Sequence, residues 1–316
     1  MHPEAIIHSL HSIEYSHMSK LTGFFGAPVT PFKNGQVDYD TLAKQINFLI
    51  KQGVSAFAYP MHIGESLNLS PEEFKKTTEL LVKTVQDRVP TFINTSSAST
   101  DQSIEMTSHC ARIGSTGIVL LPPYYWKPAR AELIDHFVRT ARAHGGQLIA
   151  YNNPSATGVS LGIDICEELL DNIPGFIGIK DASFHMETFM GYCRLSEKSQ
   201  LAIYTGIEYL LSSMPMGGSG CFCACTEVAP VLIRSLYEAC ASGNYSQAKE
   251  LQFKVHALLD QLMQSYPSSI KYAMALMQRP VGETRAPIHN LTQAEKNKTQ
   301  AVLSQLGILD SEPKGW

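Results

Sequence analysis

The sequence has 316 residues, of which 44% are hydrophobic and 17% are charged, a composition typical of a globular protein with ample material for a core. Its formal net charge is −4 and its basic residues are scattered, so it shows no electrostatic footprint for nucleic acid. No apolar run approaches the roughly 20 residues that span a bilayer, and the N-terminus does not resemble a secretory signal. We therefore expect a cytoplasmic protein with no nucleic-acid or membrane partner.

The seven cysteines are an odd number in a chain far larger than a disulfide-stabilised scaffold. Cys221, Cys223 and Cys225 alternate, as residues on one face of a strand do. Because no Cys-x-x-Cys motif occurs, a structural zinc site has little support. The sequence predicts reduced, mostly buried thiols.

Residues 1–19 differ from the rest of the chain because they are rich in histidine and lack apolar periodicity. They predict a loose N-terminal extension, with a metal-binding tail as the alternative. Met18 is an alternative start. The histidines in question are His2, His8, His11 and His17.

From Gly23 to about Ala241, short apolar segments rich in β-forming residues alternate with longer helical patterns. The apolar segments are nearly continuous runs of about four to six residues, as expected for parallel strands covered on both faces. They predict eight strands: Phe24–Val29, Ala56–Pro60, Thr91–Asn94, Gly117–Leu121, Leu148–Asn152, Phe176–Lys180, Ala202–Gly206 and Gly220–Cys223.

Helix start signals lie between these segments. Ser70-Pro71-Glu72-Glu73 combines an N-cap serine, a proline at the first helical position and a glutamate at the third. Ser99 and Pro128 open two further helices. Since neither a Gly-x-Gly-x-x-Gly turn nor a Walker loop follows the first strand, eight β-then-α units favour a (β/α)8 TIM barrel over a doubly wound sheet.

After Asn244 the pattern is helical only, which predicts a C-terminal helical appendage. Its helices are expected at Tyr245–Ser265, Ser268–Met277 and Thr292–Leu306. The predicted organisation is therefore an N-terminal extension at 1–19, a catalytic barrel at 20–242 and a C-terminal helical region at 243–316.

In a barrel of this kind the active site lies at the carboxyl ends of the strands. Lys180 follows the apolar segment 175–179, so its amine is expected to emerge from a buried strand. Burial disfavours the ammonium form, and a neutral amine can attack a carbonyl carbon. The same position in the fold selects five side chains: Glu65, Tyr124, Tyr125, Tyr151 and Lys180.

Several segments in this region carry a specific resemblance. Tyr151–Gly158 and Gly178–Ser183 resemble the tyrosine and Schiff-base lysine motifs of the dihydrodipicolinate synthase/N-acetylneuraminate lyase family. The matches run in order from about residue 23 to 230. Other segments that resemble the family's strand exits are Ala27–Phe32, Gly35–Asp38, Gly64–Ser66, Leu69–Glu73 and Pro123–Pro128.

The resemblance implies a role for three side chains. Lys180 would form an imine with the 2-oxo group of pyruvate or a pyruvate-derived acid. Tyr151 would act as general acid and base on the substrate oxygen, and Tyr125 would support the proton relay, often across a subunit contact. The family also implies a homotetramer or homodimer that needs no metal ion or organic cofactor.

The resemblance also implies a substrate-binding wall. His62, Ile63 and Gly64 would line a carboxylate pocket, where backbone N–H groups bind the anion. Phe222, in the last strand, would approach the lysine through its carbonyl.

This sequence departs from the family pattern in two places. His62-Ile63 stands where paired hydroxyl residues are usual. His62 is therefore expected to bind the carboxylate, with a place in the proton relay or simple packing as alternatives. Ala156 stands where the synthases place an arginine that holds the aldehyde's carboxylate, a task a methyl group cannot perform.

These features predict a Schiff-base lyase of aldolase, dehydratase or deaminase type acting on a 2-oxo acid. The alternative within the family is 4-hydroxy-tetrahydrodipicolinate synthase, which Ala156 disfavours. A non-catalytic barrel that binds 2-oxo acids is a further alternative. A metal-dependent barrel would use four other side chains near the mouth: His62, Glu65, Asp181 and His185.

Overall fold

The computed structural model describes residues 20–316. The expectations for 1–19, including the histidine-rich extension, lie outside these residues. Eight parallel strands close into one barrel in which each strand pairs with its neighbour in sequence and β8 pairs with β1. The strands are β1 (Gly23–Gly26), β2 (Ala56–Tyr59), β3 (Thr91–Asn94), β4 (Gly117–Leu120), β5 (Gln147–Asn152), β6 (Phe176–Asp181), β7 (Ala202–Thr205) and β8 (Gly220–Cys223). The predicted TIM barrel is confirmed.

Helices connect the strands and continue beyond the last one. In residues 20–316, none of them is both long and apolar enough to cross a membrane. The α-helices are α1 (Tyr39–Lys51), α2 (Pro71–Val85), α3 (Thr100–Arg112), α4 (Arg130–His144), α5 (Pro154–Thr157), α6 (Ile163–Asn172), α7 (Met186–Lys198), α8 (Leu210–Ser213), α9 (Pro230–Ala241), α10 (Tyr245–Met263), α11 (Ser268–Leu276), α12 (Gln293–Gln305) and α13 (Ile308–Ser311). Short 3₁₀ turns occupy His62–Gly64, Ser66–Asn68, Met214–Met216 and Cys225–Glu227, and a small hairpin pairs Phe32–Lys33 with Gln36–Val37.

The barrel interior is the centre of the hydrophobic core. Phe25 stacks on Phe222 with ring centroids 4.3 Å apart, and the Tyr204 ring meets Phe25 edge-on at 5.0 Å. All three side chains are buried, because strands covered on both faces have no solvent-facing side. This packed floor supports the mouth above it.

Among the predicted boundaries that differ from the structure, two do so for identifiable reasons. β1 ends at Gly26 rather than Val29, and Pro28 has no N–H group with which to continue a ladder. α4 begins at Arg130 rather than at Pro128, because Ala129 is the N-cap and keeps an extended conformation with ψ of 168°.

The start signal at Ser70 behaves as predicted. The Ser70 hydroxyl accepts from the Glu73 N–H, and the Glu73 carboxylate accepts from the Ser70 N–H. The C-terminal helices also fall where the sequence places them, with α13 added. The boundary between 242 and 243 stays a prediction, since α10 packs directly against α9.

Candidate active site

Lys180 lies near the carboxyl end of β6, where it pairs in register with Tyr151 of β5. Its side chain is buried, and the Nζ atom lies 3.5 Å from the centroid of the Tyr151 ring. Burial lowers the pKa of the Lys180 amine, although the nearby Tyr151 hydroxyl acts in the opposite direction. The neutral amine needed for attack on a carbonyl is therefore favoured.

The Tyr151 phenol has a defined partner at the mouth. The Asn153 side-chain amide donates to the Tyr151 Oη atom over 3.1 Å. Phe222 is also near the lysine, with its ring centroid 5.3 Å from Nζ. An aromatic floor thus encloses the amine and keeps bulk water from it.

These residues open into a cavity of about 320 Å³. Five of the predicted residues line it: Lys180, Tyr151, His62, Ile63 and Phe222. The other lining residues are Ala27, Met61, Asn153, Ser155, Ala156, Ala182, Phe184, Gly206, Ile207, Cys223, Ala224, Met263 and Tyr266.

Gly64 was expected in the wall but lies behind it. Its carbonyl accepts from the Thr30 hydroxyl. A Cβ atom at this position would come within 2.9 Å of the Pro28 carbonyl oxygen, so glycine is required for close backbone approach. Gly64 therefore shapes the turn rather than facing the cavity.

Tyr125 also lies outside the cavity. Its side chain is 84% exposed, its backbone is left-handed with φ of 75°, and its ring packs edge-on against Trp126. No hydrogen bond between it and Tyr151 occurs in the described part of the chain. Its part in a relay across a subunit contact stays a prediction.

His62 lies at the rim, where its ring is 5.1 Å from the ring of Tyr266. Partial burial, and then the positive charge of Lys180, lower the pKa of His62. The imidazole is therefore favoured over the imidazolium while Lys180 is charged. This weakens the expectation that His62 offers a charged donor to a carboxylate, and leaves a neutral donor, a relay place and packing as alternatives.

Met263 and Tyr266 are among the wall residues that sequence reasoning missed. Met263 ends α10 and Tyr266 follows it, so both reach the mouth from the C-terminal helical region. Burial raises the pKa of the Tyr266 phenol. No local pattern marks these residues, because only the docking of distant helices brings them to the cavity.

The metal-dependent alternative finds no support in the geometry. Within 20–316, no group of three or more His, Cys, Asp or Glu side chains is placed to hold a metal ion. Glu65 instead forms a buried ion pair with Lys271 at 2.6 Å. Asp181 accepts from the Asn152 amide over 2.8 Å, and His185 shares a hydrogen bond with a neighbouring threonine hydroxyl.

An eight-stranded parallel barrel with a buried lysine and a phenol on the adjacent strand defines the class of Schiff-base enzymes. The model of the dihydrodipicolinate synthetase family matches residues 20–306. The chain belongs to this family, and it is a lyase of the class I Schiff-base type.

Individual relatives extend this assignment. The chain is 32% identical to 4-hydroxy-tetrahydrodipicolinate synthase of Bartonella bacilliformis, over 92% of this chain and 99% of that protein. The enzyme of the same name from Methanococcus vannielii is 31% identical, over 92% of this chain and 100% of that protein. The structure of YagE, a prophage protein of the family from E. coli K12 in complex with pyruvate, superposes with a TM-score of 0.87. It is 28% identical and covers 91% of this chain and 99% of its own.

Proposed function

We propose that the chain joins pyruvate to an aldehyde, or splits the product, through an imine at Lys180. The observation that carries the proposal is the buried Lys180 amine, 3.5 Å from the Tyr151 ring centroid in a cavity open to solvent. Burial lowers the pKa of Lys180, which favours the neutral, nucleophilic form of the amine.

The chemistry follows from these two side chains. The Lys180 nitrogen attacks C2 of pyruvate to give a carbinolamine, whose hydroxyl leaves as water when it receives a proton. We assign to Tyr151 the delivery of that proton and the later proton transfer at the substrate oxygen. Loss of a proton from the methyl group then gives an enamine, whose carbon attacks the aldehyde.

The particular reaction that the comparisons favour is 4-hydroxy-tetrahydrodipicolinate synthesis. Relatives of that name match nearly the whole chain at 30% identity or more. They support this activity better than the broader aldolase, dehydratase or deaminase interpretation, although the sequence analysis ranked it second.

A second candidate is a related lyase whose aldehyde carries no carboxylate. Ala156 supports it, because this residue lines the cavity where a methyl group cannot clamp an anion. Among the described residues, the cavity wall has Lys180 as its one lysine and has no arginine. Arg130, a cation in the segment before Tyr151, is held by Asp164 and Glu168 on the surface.

Imine trapping tests the shared step. We expect pyruvate with sodium cyanoborohydride to add mass to the peptide that holds Lys180, and to no other peptide. The Lys180→Met variant should gain nothing, while Lys75→Met should still be labelled, since Lys75 lies on the surface in an exposed pair with Glu105. Labelling at another lysine, or none with any 2-oxo acid, would disprove the assignment.

A coupled assay with pyruvate and aspartate semialdehyde then separates the two candidates. Efficient condensation identifies the synthase and requires another cation, such as Lys127 or Arg130, to hold the carboxylate. If condensation proceeds only at the background rate while the pyruvate imine is still trapped, the result supports a lyase whose aldehyde carries no carboxylate. Ala156→Arg is the matched variant, because it should raise the rate with aspartate semialdehyde only in the second case.

A further inference from the structure

Glu208 is a fully buried acid behind the cavity wall that the chemistry above does not use. It lies three residues beyond the end of β7, and the preceding Ile207 lines the cavity. One carboxyl oxygen accepts from the backbone N–H of Cys225, whose neighbour Ala224 also lines the cavity. Glu208 therefore joins two segments of the wall that surrounds Lys180.

The second carboxyl oxygen of Glu208 is buried and has no hydrogen-bond partner. None of the ion pairs in residues 20–316 includes this side chain. Its backbone is held firmly, since its carbonyl accepts from the Gln252 amide over 2.7 Å. A buried carboxyl with a free oxygen is costly as an anion, and burial raises the pKa of Glu208.

Five other titratable groups lie close enough to Glu208 for its charge to act on them. They are Lys180, Tyr266 and the thiols of Cys221, Cys223 and Cys225. Burial raises the pKa of the phenol and of each thiol, so these groups stay neutral. Lys180 is the member of the set that acquires a positive charge.

Asp181 is the other buried acid beside the lysine, but its surroundings differ. One of its oxygens accepts from the Asn152 amide, and the other accepts from the Ser183 hydroxyl over 2.9 Å. Asp181 also follows Lys180 on the strand, so its side chain points to the opposite face. Glu208 is the acid with an oxygen left unpartnered.

We propose that Glu208 is the buried counter-charge of the protonated imine at Lys180, and thus a positioning residue for this intermediate. The inference rests on the proposed function. The neutral Lys180 amine, the 2-oxo group and the protonated Glu208 carboxyl give the protonated imine, the Glu208 carboxylate and one water. Both charges arise together from neutral groups, so neither is left unpaired in the buried site.

The Glu208→Gln variant tests this role, since glutamine mimics the protonated acid and should fold normally. We expect its yield of cyanoborohydride-trapped pyruvate imine at neutral pH to fall by roughly tenfold to hundredfold. In the wild type, the imine equilibrium should vary little with pH around neutrality, because Glu208 supplies the proton. In the variant, the equilibrium constant for imine formation should fall by up to about tenfold for each unit that the pH rises, because the proton must come from solvent.

Glu227→Gln is the matched control. Glu227 is likewise buried, with a pKa raised to about 8 and one carboxyl oxygen without a partner. Its other oxygen accepts from the Gln45 amide over 2.7 Å, and neither of its chain neighbours lines the cavity, whereas Ile207 beside Glu208 does. This variant should keep the wild-type yield and pH dependence. Glu208→Asp should keep the weak pH dependence, and it provides the test if Glu208→Gln does not fold.

Each outcome decides between the proposals. A Glu208→Gln variant with the yield and pH dependence of the wild type overturns the counter-charge and leaves the imine at Lys180 intact. The same pH dependence in Glu208→Gln and Glu227→Gln overturns it too, because it would reflect general loss of structure. A wild-type protein that forms no imine overturns both.

Discussion

At the scale of single residues, the chemistry depends on the neighbouring positions of Tyr151 and Lys180. Parallel pairing of β5 with β6 places the two side chains at the same level of the barrel. The phenol ring covers the amine, while the Asn153 amide holds the hydroxyl at the mouth. One side chain thus both shields the nucleophile and offers a proton.

The Tyr151→Phe substitution separates these two roles, because it keeps the ring and removes the hydroxyl. We expect the variant to fold normally and to lose roughly 10²–10⁴-fold in turnover, the usual effect of removing a positioned acid or base. Its steady-state kinetics should be compared with those of Asn153→Ala, which leaves the phenol in place and should have a smaller effect. Turnover like that of the wild type would contradict the role of Tyr151.

The position of a side chain at the cavity was predictable from the sequence where one strand controls its direction. Lys180 and Tyr151 are strand residues whose direction follows from alternation, and both line the cavity. Gly64 and Tyr125 belong to turns, and their backbone conformations cannot be read from a periodic pattern. Gly64, expected in the cavity wall, therefore lies behind it. Tyr125 lies outside the cavity of its own chain, and its relay role across a subunit contact stays a prediction.

At the scale of elements, the turn after β2 is anchored by the C-terminal helical region. Glu65 lies in this turn with a left-handed φ of 55°, and its carboxylate pairs with Lys271 of α11. The same carboxylate accepts from the backbone N–H of Arg285 over 2.9 Å. Arg285 in turn pairs with Glu73 of the α2 capping box. Helices far along the sequence therefore fix the segment that bears His62.

The Lys271→Met substitution should destabilise the protein strongly, because it leaves the Glu65 charge buried without its partner. Removing one partner of a buried pair costs about 3–5 kcal/mol. The free energy of unfolding, measured with urea, is the test. Lys75→Met is the control, since the Lys75–Glu105 pair is exposed and should contribute less than about 1 kcal/mol. Similar losses in the two variants would contradict the argument.

Element positions were predictable because local signals agree. The strands are continuous apolar segments, and the capping box at Ser70 marks the start of α2. Met263 and Tyr266 were not predictable, because their place in the cavity wall depends on how α10 docks on the barrel. Local patterns fix elements, whereas long-range packing completes the site.

At the scale of the whole molecule, buried histidines couple the stability of the helical layer to pH. His109 of α3 bonds the Thr78 hydroxyl of α2, and His136 of α4 bonds the Thr100 hydroxyl at the start of α3. Burial lowers the pKa of both histidines, that of His136 to about 4. The folded barrel therefore holds these side chains neutral at the contacts between consecutive helices.

This arrangement predicts that stability falls as the pH falls. The unfolded chain binds a proton at His136 near its ordinary pKa of 6.5, whereas the folded chain does so near 4. The stability that depends on neutral His136 is therefore fully present above about pH 6.5 and is lost progressively as the pH falls to about 4. The shift corresponds to about 3 kcal/mol for His136. The decrease in the free energy of unfolding can be measured with urea at neutral pH and near pH 4.5.

The His136→Gln variant isolates this contribution from the carboxylates that also titrate in the range. Glutamine keeps a group able to bond the Thr100 hydroxyl but cannot gain a proton, so the acid-induced loss of stability should shrink by about 2–3 kcal/mol. The control is His289→Gln, because His289 is exposed and pairs with Glu295 on the surface. In this variant the free energy of unfolding should fall on acidification nearly as much as in the wild type. If His136→Gln lost as much stability on acidification as the wild type, the neutral histidine between α3 and α4 would not be the cause of acid lability.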